Sequence, residues 1–385
     1  MNFFKYLGVD QETFVEKYLH GGWVTEGIHK TLPLNIFTYS RKCQQEDNWD
    51  SVISKCRGIV VDRWTGEIVA RPFEKFHNYG SPQAEGENRI GACFSEPVVW
   101  EKMDGFMVTA FKYEGVWHAA SKSSFHSIHA KWATAELRRH ENNFPEGWTP
   151  VFEGLHPDLR IVVNYGDREE LVLLTVINNE TGEEMSPAKL REVSGDYNTP
   201  DQHLITLEEA KEHTRDDVKN DEGYVLTWYQ DGKPPVRLKM KYIEYLRLHR
   251  MVCGVSPKRI WESLSQPHLA ADLRDYLDNS TPWFAAFVRK WVKALQTRFD
   301  ELQQRATEVY MRTVQEMAPR HLAGEFANLG AFRKAYALEF NKPENADVRA
   351  ICFSMLDGKD AAVVIWKQVR ELTQNGHPLM DAHSI

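Results

Sequence analysis

The sequence has no long hydrophobic run. Nowhere in its 385 residues do about 18 apolar side chains follow one another, which excludes a membrane-spanning helix. The first residues, Met1-Asn2-Phe3-Phe4-Lys5-Tyr6, form too short an apolar stretch and lack a small-residue cleavage pattern, so no secretory signal is expected. Cysteine is sparse. Cys43, Cys56, Cys93, Cys253 and Cys352 are odd in number and scattered, with no C-x-x-C pair. That argues against a disulfide framework or a zinc site, and for reduced thiols in a cytoplasmic protein. Internal repeats and low-complexity linkers are also missing. Positive charge is not in excess either: 47 Lys+Arg stand against 55 Asp+Glu, a net charge of −8. A protein that coats nucleic acid non-specifically is thereby disfavoured. An enzyme that grips a few phosphates is not, because affinity follows the phosphates contacted. The acidic excess sits in the first 255 residues, with 30 basic against 39 acidic; from Ser256 onward the balance is 17 to 16.

What is present reads as two textures. Up to about residue 250, strand-like runs recur at 58–62, 106–111, 171–176 and 223–228. Turn signals separate them: Trp64-Thr65-Gly66-Glu67, Tyr113-Glu114-Gly115 and Gln230-Asp231-Gly232-Lys233. Helices are expected at 126–140 and 206–217. Strands mixed with helices and hairpin turns predict an α+β fold with mostly antiparallel sheets. From about 255 the strands stop. Ser256-Pro257 and Thr281-Pro282 each read as a helix start. Apolar residues then fall at Phe284, Val288, Trp291, Leu295, Phe299, Leu302, Ala306 and Val309, in steps of three and four that mark one stripe of a long helix. Its aromatics are expected to serve packing rather than base stacking. Further helices are expected around 322–340 and 359–373. The chain therefore divides into 1–250 and an all-α part, 251–385.

The chemistry-bearing segment is Trp100-Glu101-Lys102-Met103-Asp104-Gly105. A lone K-x-D-G is a weak signal, carried by chance in roughly one chain in ten of this length. Its setting changes that. Upstream stand Cys56-Arg57-Gly58-Ile59 and Arg71-Pro72-Phe73-Glu74-Lys75-Phe76-His77-Asn78. Downstream follow Phe152-Glu153-Gly154, Glu222-Gly223-Tyr224-Val225 and Leu238-Lys239-Met240-Lys241. In this order and spacing the segments resemble the covalent nucleotidyltransferase superfamily of polynucleotide ligases and capping enzymes, and within it the T4-like RNA ligase 1 family. The likeness covers roughly residues 35–245.

The resemblance implies a nucleotidyltransferase domain of ATP-grasp-like antiparallel sheets, followed by an all-α domain that selects the RNA substrate. It implies an ATP-dependent RNA ligase that joins 5′-phosphate and 3′-hydroxyl RNA ends through lysyl-AMP and RNA-adenylate, in RNA repair with nicked tRNA among the substrates. Lys102 would be the nucleophile. Tyr39, Arg57, Lys75, Gly105, Lys122, Glu153, Gly223, Lys239 and Lys241 would bind the nucleotide, and Glu222 would hold Mg²⁺ or Mn²⁺. No membrane or protein partner is implied. The enzyme would act in the cytoplasm, that of a host if it is virus-encoded.

The residue types suit the chemistry. An attacking lysine must be neutral, so the pKa of Lys102 is expected to be depressed by burial or by the cations Arg57, Lys75, Lys239 and Lys241. Those cations would also hold a triphosphate. Asp104 would orient the loop, while Arg71 and Glu74 would stabilise local structure. Each position has a plainer reading: Tyr39 a half-buried strand residue, Lys122 an exposed one, Lys239 and Lys241 one solvated strand face. His77 stands where relatives carry a second aromatic after Lys-Phe, which makes adenine packing there sensitive to its charge. Phe106 replaces the small residue of some relatives. Three other activities fit parts of the pattern: a guanylyltransferase or a DNA ligase using the same lysine, and a catalytically silent RNA-end-binding protein. The two enzyme relatives carry an OB-fold, which would read as five short strands, and nothing after residue 255 does.

Overall fold

In the computed structural model, which describes residues 1–86, 95–216, 218–278 and 282–374, the chain forms two compact units, Met1–Arg247 and Leu248–Ile385. Cys93, Asp217 and Thr281 lie outside the described residues, and so does the side chain of Cys253. Among the described residues no helix is long and apolar enough to cross a membrane.

The first unit is α+β, as the strand and turn signals indicated. It contains β1 (Val24–Ile28), β2 (Leu34–Tyr39), β3 (Arg57–Asp62) and β4 (Ile68–Ala70), which make one sheet in that order. A second sheet is built from β5 (Val98–Glu101), β10 (Gln202–His203), β11 (Gly223–Gln230) and β12 (Lys233–Lys241), ordered β10-β5-β11-β12. The third takes β6 (Phe106–Tyr113), β7 (Val116–Ser121), β8 (Trp148–Leu155) and β9 (Glu170–Asn178) in the order β7-β6-β8-β9. Every ladder pair is antiparallel. The β6–β7 hairpin turns through Glu114 and Gly115, both at positive φ, which fits the short turn read from sequence.

Burial alternates along the strands as a half-covered sheet requires. On β12, Val236, Leu238 and Met240 are buried, whereas Arg237, Lys239 and Lys241 face the other way and stay partly accessible. The third sheet packs Val108, Phe152, Leu171 and Leu173 against Ala133 and Leu137 of the helix Ile128–Leu137, which Ser127 caps. Phe3, Phe14, Phe37, Ile53 and Ile59 form the core beside the first sheet. The helix expected at 206–217 spans Leu207–His213, opened by a capping box between Thr206 and Glu209.

Between the second and third sheets runs a buried ion pair. Arg237 of β12 donates two hydrogen bonds of 2.6 Å to Glu184, which follows β9 and also accepts from the Thr175 hydroxyl. The Arg237 guanidinium lies 4.4 Å from the Phe73 ring centroid.

The second unit is helical throughout its described residues. Ser256 caps the helix Pro257–Ser265, and a 41-residue helix, Pro282–Leu322, is the longest element. Its stripe is buried as the periodicity indicated, except that Phe299 is half-buried and lies 4.6 Å from Trp366. Two boundaries differ from expectation. The helix expected from 322 begins only at Leu329, because Gly324 adopts φ +72° and Asn328 caps the new start. The one expected at 359–373 spans Ala361–Val369 and tightens into a 3-10 turn at Arg370–Thr373. A further helix, Arg349–Leu356, was not anticipated; it is short and has no side-chain cap to announce it.

Glu184→Gln should leave the Arg237 guanidinium buried without its counter-charge and cost about 3–5 kcal/mol. The double variant Arg237→Met/Glu184→Met should recover most of that loss. Urea unfolding of the three proteins tests this; a single variant as stable as the parent would contradict it.

Candidate active site

The chain crosses from the second sheet to the third at Lys102–Gly105, the link between β5 and β6. Antiparallel pairing then decides what meets there. The Lys102 backbone N–H donates to the Gly223 carbonyl at 2.9 Å, at the start of β11. Gly105 donates to the Glu153 carboxylate of β8 at 3.0 Å. Both glycines are demanded by space. A Cβ on Gly105 would collide with the Gly154 carbonyl oxygen, and one on Gly223, at φ +136°, with that of Met240. Asp104 ties the loop down. Its carboxylate accepts from the Val162 and Val163 amides at 2.8 and 2.7 Å and from the Tyr245 hydroxyl at 2.7 Å. Phe106 finds room because residue 154 is glycine, whose missing Cβ leaves space for the ring.

At the centre, the Lys102 ammonium is 2.7 Å from one oxygen of Glu222, and Lys241 is 2.7 Å from the other. Glu222 is 3% exposed, so this is a buried carboxylate with two cationic partners. Burial pushes its pKa up, but the two lysines outweigh that and hold it below the usual range. Lys102 runs the other way. Burial pulls its pKa down, yet Glu222 and then Glu153 more than compensate, and the amine is held above its ordinary value. The depressed lysine expected from sequence is therefore not found at Lys102. The reason is Glu222, 2.7 Å from the ammonium, which with Glu153 outweighs burial.

The depressed amine is Lys239. Burial, then the like charges of Lys75, Lys102, Lys241 and Arg57, bring it down to about 6. Glu153 moves in the opposite sense, to about 7: burial and the neighbouring Glu222 raise it, with Lys102 partly opposing. Lys75 is also lowered by burial. Tyr39, which is buried, has its hydroxyl pulled below its usual range: burial acts upward, but Arg57, Lys122 and Lys75 prevail. The Lys122 ammonium lies 4.8 Å from the Tyr39 ring centroid. Contacts and electrostatic influences thus link the residues singled out in the sequence, from the Lys122–Tyr39 pair through Arg57, Lys75 and Lys239 to Lys241, Glu222, Lys102, Glu153, Gly105 and Gly223.

Several participants were not anticipated. The Phe76 ring has Arg57, Lys239 and Arg237 within 5.5, 5.5 and 5.9 Å of its centroid, an arrangement of cation–π contacts that separates like charges. Tyr245 holds Asp104 and stacks beneath Lys241 at 4.7 Å. Tyr165 accepts from the Asp104 amide. Only their pairing across the fold marks these residues; locally they read as core aromatics. His77 is buried edge-on against Trp49, and its carbonyl accepts from the Lys239 amide. Arg71 and Glu74 bond to each other, and Glu74 accepts from the Tyr6 hydroxyl.

Whether the cleft suits a divalent cation can be judged from its donors. Among the described residues no group of three or more His, Cys, Asp or Glu side chains could hold a metal ion by itself. Mg²⁺ commonly takes one or two carboxylates and completes its shell with water and substrate phosphates. Glu222 and Glu153 fit that description. Two carboxylates share the site, and burial, helped by the neighbouring Glu222, drives Glu153 towards its neutral form.

The sequence profile described as RNA ligase matches residues 55–242, which takes in Arg57 through Lys241. A putative RNA ligase of Thermovibrio ammonificans is 31% identical over 203 residues, half of this chain and 52% of that protein. A putative bifunctional polynucleotide kinase/RNA ligase of Autographa californica nuclear polyhedrosis virus is 24% identical, with 72% of this chain and 44% of that protein aligned. An RNA ligase of Rhodothermus phage RM378 is 23% identical over 85% of this chain and 86% of its own. The chain thus spans about half the length of the first two relatives. Among solved structures, an archaeal ATP-dependent RNA ligase aligns at a TM-score of 0.42 and 12% identity, covering 79% of this chain and 81% of the other. The match over 55–242, just under half of the chain, shows that the stretch carrying these motifs is similar to the RNA ligase family.

Proposed function

We propose that this protein is an ATP-dependent RNA ligase that works through a lysyl-AMP intermediate on Lys102. The observation that carries the reading is a half-buried lysine held by a carboxylate, Glu222, beside Arg57, Lys75, Lys239 and Lys241. A cleft so rich in like charge is costly without an anion, and a nucleoside triphosphate supplies one.

In the first step the Lys102 Nζ attacks the α-phosphorus of ATP. An N–P bond forms, the bond to the bridging oxygen breaks, and pyrophosphate leaves with the electron pair. Lys102 must first lose its proton to solvent, and Glu222, 2.7 Å from its ammonium, governs this. Arg57, Lys75 and Lys239 hold the β- and γ-phosphates, and Lys241 offsets charge at the reacting phosphorus. Glu153 accepts from the ribose hydroxyls. Mg²⁺ or Mn²⁺, held by Glu222, would neutralise phosphate charge and weaken the grip of Glu222 on Lys102. The AMP then passes to a 5′-phosphate RNA end, and a 3′-hydroxyl attacks the activated phosphate and releases AMP. In this reading the first unit carries adenylyl transfer and the helical unit selects the RNA. Repair of broken RNA, nicked tRNA included, in the cytoplasm is the role that fits.

Two measurements test this. Incubation with ATP labelled at the α-phosphate should mark wild type and leave Lys102→Ala unmarked, a loss of at least about 10³-fold for a missing nucleophile. Labelling from GTP alone, or equal labelling of both proteins, would sink the reading. Second, Lys239 near 6 is mostly neutral at pH 7.5. An incoming triphosphate favours its charged form and raises that pKa, so binding should take up roughly one proton. Calorimetry of a non-hydrolysable ATP analogue in buffers of different ionisation enthalpy reads the number directly. The uptake should vanish in Lys239→Met and shrink below pH 6, where Lys239 is already protonated.

A further inference from the structure

Next to the phosphate-facing cations lies a cavity of about 310 Å³ that the first step does not use. Its walls include Phe73, Phe76, Pro234 and Pro235, with Lys75 and Lys233 among its lining. The volume is at the lower end of the range for small-molecule sites. Its position follows from β12. Lys241, Lys239, Arg237, Pro235 and Lys233 alternate along one face of that strand, and Lys233 is the exposed end. From Lys239 to Lys233 the strand advances ~20 Å. The segment 71–78 runs alongside, joined by the parallel bridge Asn78–Lys239, so that Phe76 faces both Lys239 and Arg237. Lys75 belongs to both spaces: it is one of the charges that depress Lys239, and it lines the cavity. The buried charges around the floor satisfy one another, Arg237 with Glu184 and Arg71 with Glu74.

The stereochemistry of the proposed reaction says what should arrive here. In an in-line displacement the attacking and leaving groups stand on opposite sides of phosphorus. Pyrophosphate leaves opposite Lys102. In the second step Lys102 is itself the leaving group, so the attacking 5′-phosphate oxygen must approach from the side pyrophosphate vacated. A P–O bond forms, the P–N bond breaks, and its electron pair returns to Nζ, which takes a proton from solvent. With the AMP phosphorus held in place, the 5′-phosphate then lies among Lys75, Lys239 and Arg57. The nucleoside attached to that phosphate needs room immediately beyond them.

We propose that the cavity is the subsite for the 5′-terminal nucleoside of the donor strand, the RNA end that receives AMP. This rests on the ligase reading above and adds a place for the base. Aromatic and proline walls grip a base by stacking, which tolerates any of the four bases, while Lys233 meets the next phosphate.

The test starts from enzyme preloaded with labelled AMP and freed of ATP, then chased in a single turnover with 5′-phosphorylated RNA. Three donors are compared: intact, abasic at the first residue, and abasic at the third. Loss of the first base should slow discharge about 10-fold at sub-saturating RNA, and loss of the third should change it less than about 2-fold. In Lys233→Ala/Pro235→Ala the penalty for the first base should fall to about 2-fold. Equal discharge by all three donors, or a penalty undiminished in the double variant, would overturn the assignment. A protein that loads and discharges but ignores the first base loses only this subsite. One that never takes up label from ATP loses the ligase reading, and this inference with it.

Discussion

The site depends on one buried carboxylate. Glu222 stands between Lys102 and Lys241, 2.7 Å from each ammonium, and holds the Lys102 pKa up against the downward pull of burial. Everything around it follows from the same accounting of charge. Burial and the like charges of Lys75, Lys102, Lys241 and Arg57 drive Lys239 towards the neutral amine, while burial, with Glu222 adding to it, drives Glu153 towards the acid. The cleft is therefore poised rather than relaxed, and a polyphosphate with its cation would change its balance of charge. Stability given up at such a site is the ordinary counterpart of binding power.

The backbone makes this arrangement possible. Lys102 is placed by a sheet-to-sheet crossing, Glu153 by β8 of the third sheet, Glu222 by the entry to β11 of the second, and the lysine pair by alternation along β12. Asp104 and Tyr245 then fix the crossing from beneath. None of these contacts needs the helical unit. The adenylyl chemistry proposed for the first unit and the RNA choice proposed for the second are, in this sense, written in separate stretches of chain.

Much of this was legible in the sequence, for identifiable reasons. Hairpin turns and alternation are local signals, so the strands at 58–62, 106–111, 171–176 and 223–228 and the antiparallel character could be read directly. The charged positions could be read because motif order carries information that no single tetrapeptide holds. What escaped was set by distance in the chain. Lys102 and Glu222 are 120 residues apart, and the charge state of the lysine depends on that pairing rather than on its neighbours. The Arg237–Glu184 bridge spans 53 residues, and Phe76 reads as an ordinary aromatic until three cations are seen around it. In the helical unit, the boundaries at 322–329 went astray because a left-handed Gly324 and a capping Asn328 outrank apolar periodicity.

The two crowded glycines carry a consequence for how such a cleft can change over time. Charged side chains can drift: a lysine can become arginine and a carboxylate can lengthen or shorten, because flexible stems absorb the difference. At Gly105 and Gly223 there is nothing to absorb it, since any side chain meets a carbonyl oxygen of the neighbouring strand. Descendants of this protein can therefore explore new nucleotide and strand preferences by altering what lines the cleft, while two positions with no side chain at all hold their lineage to the same chemistry.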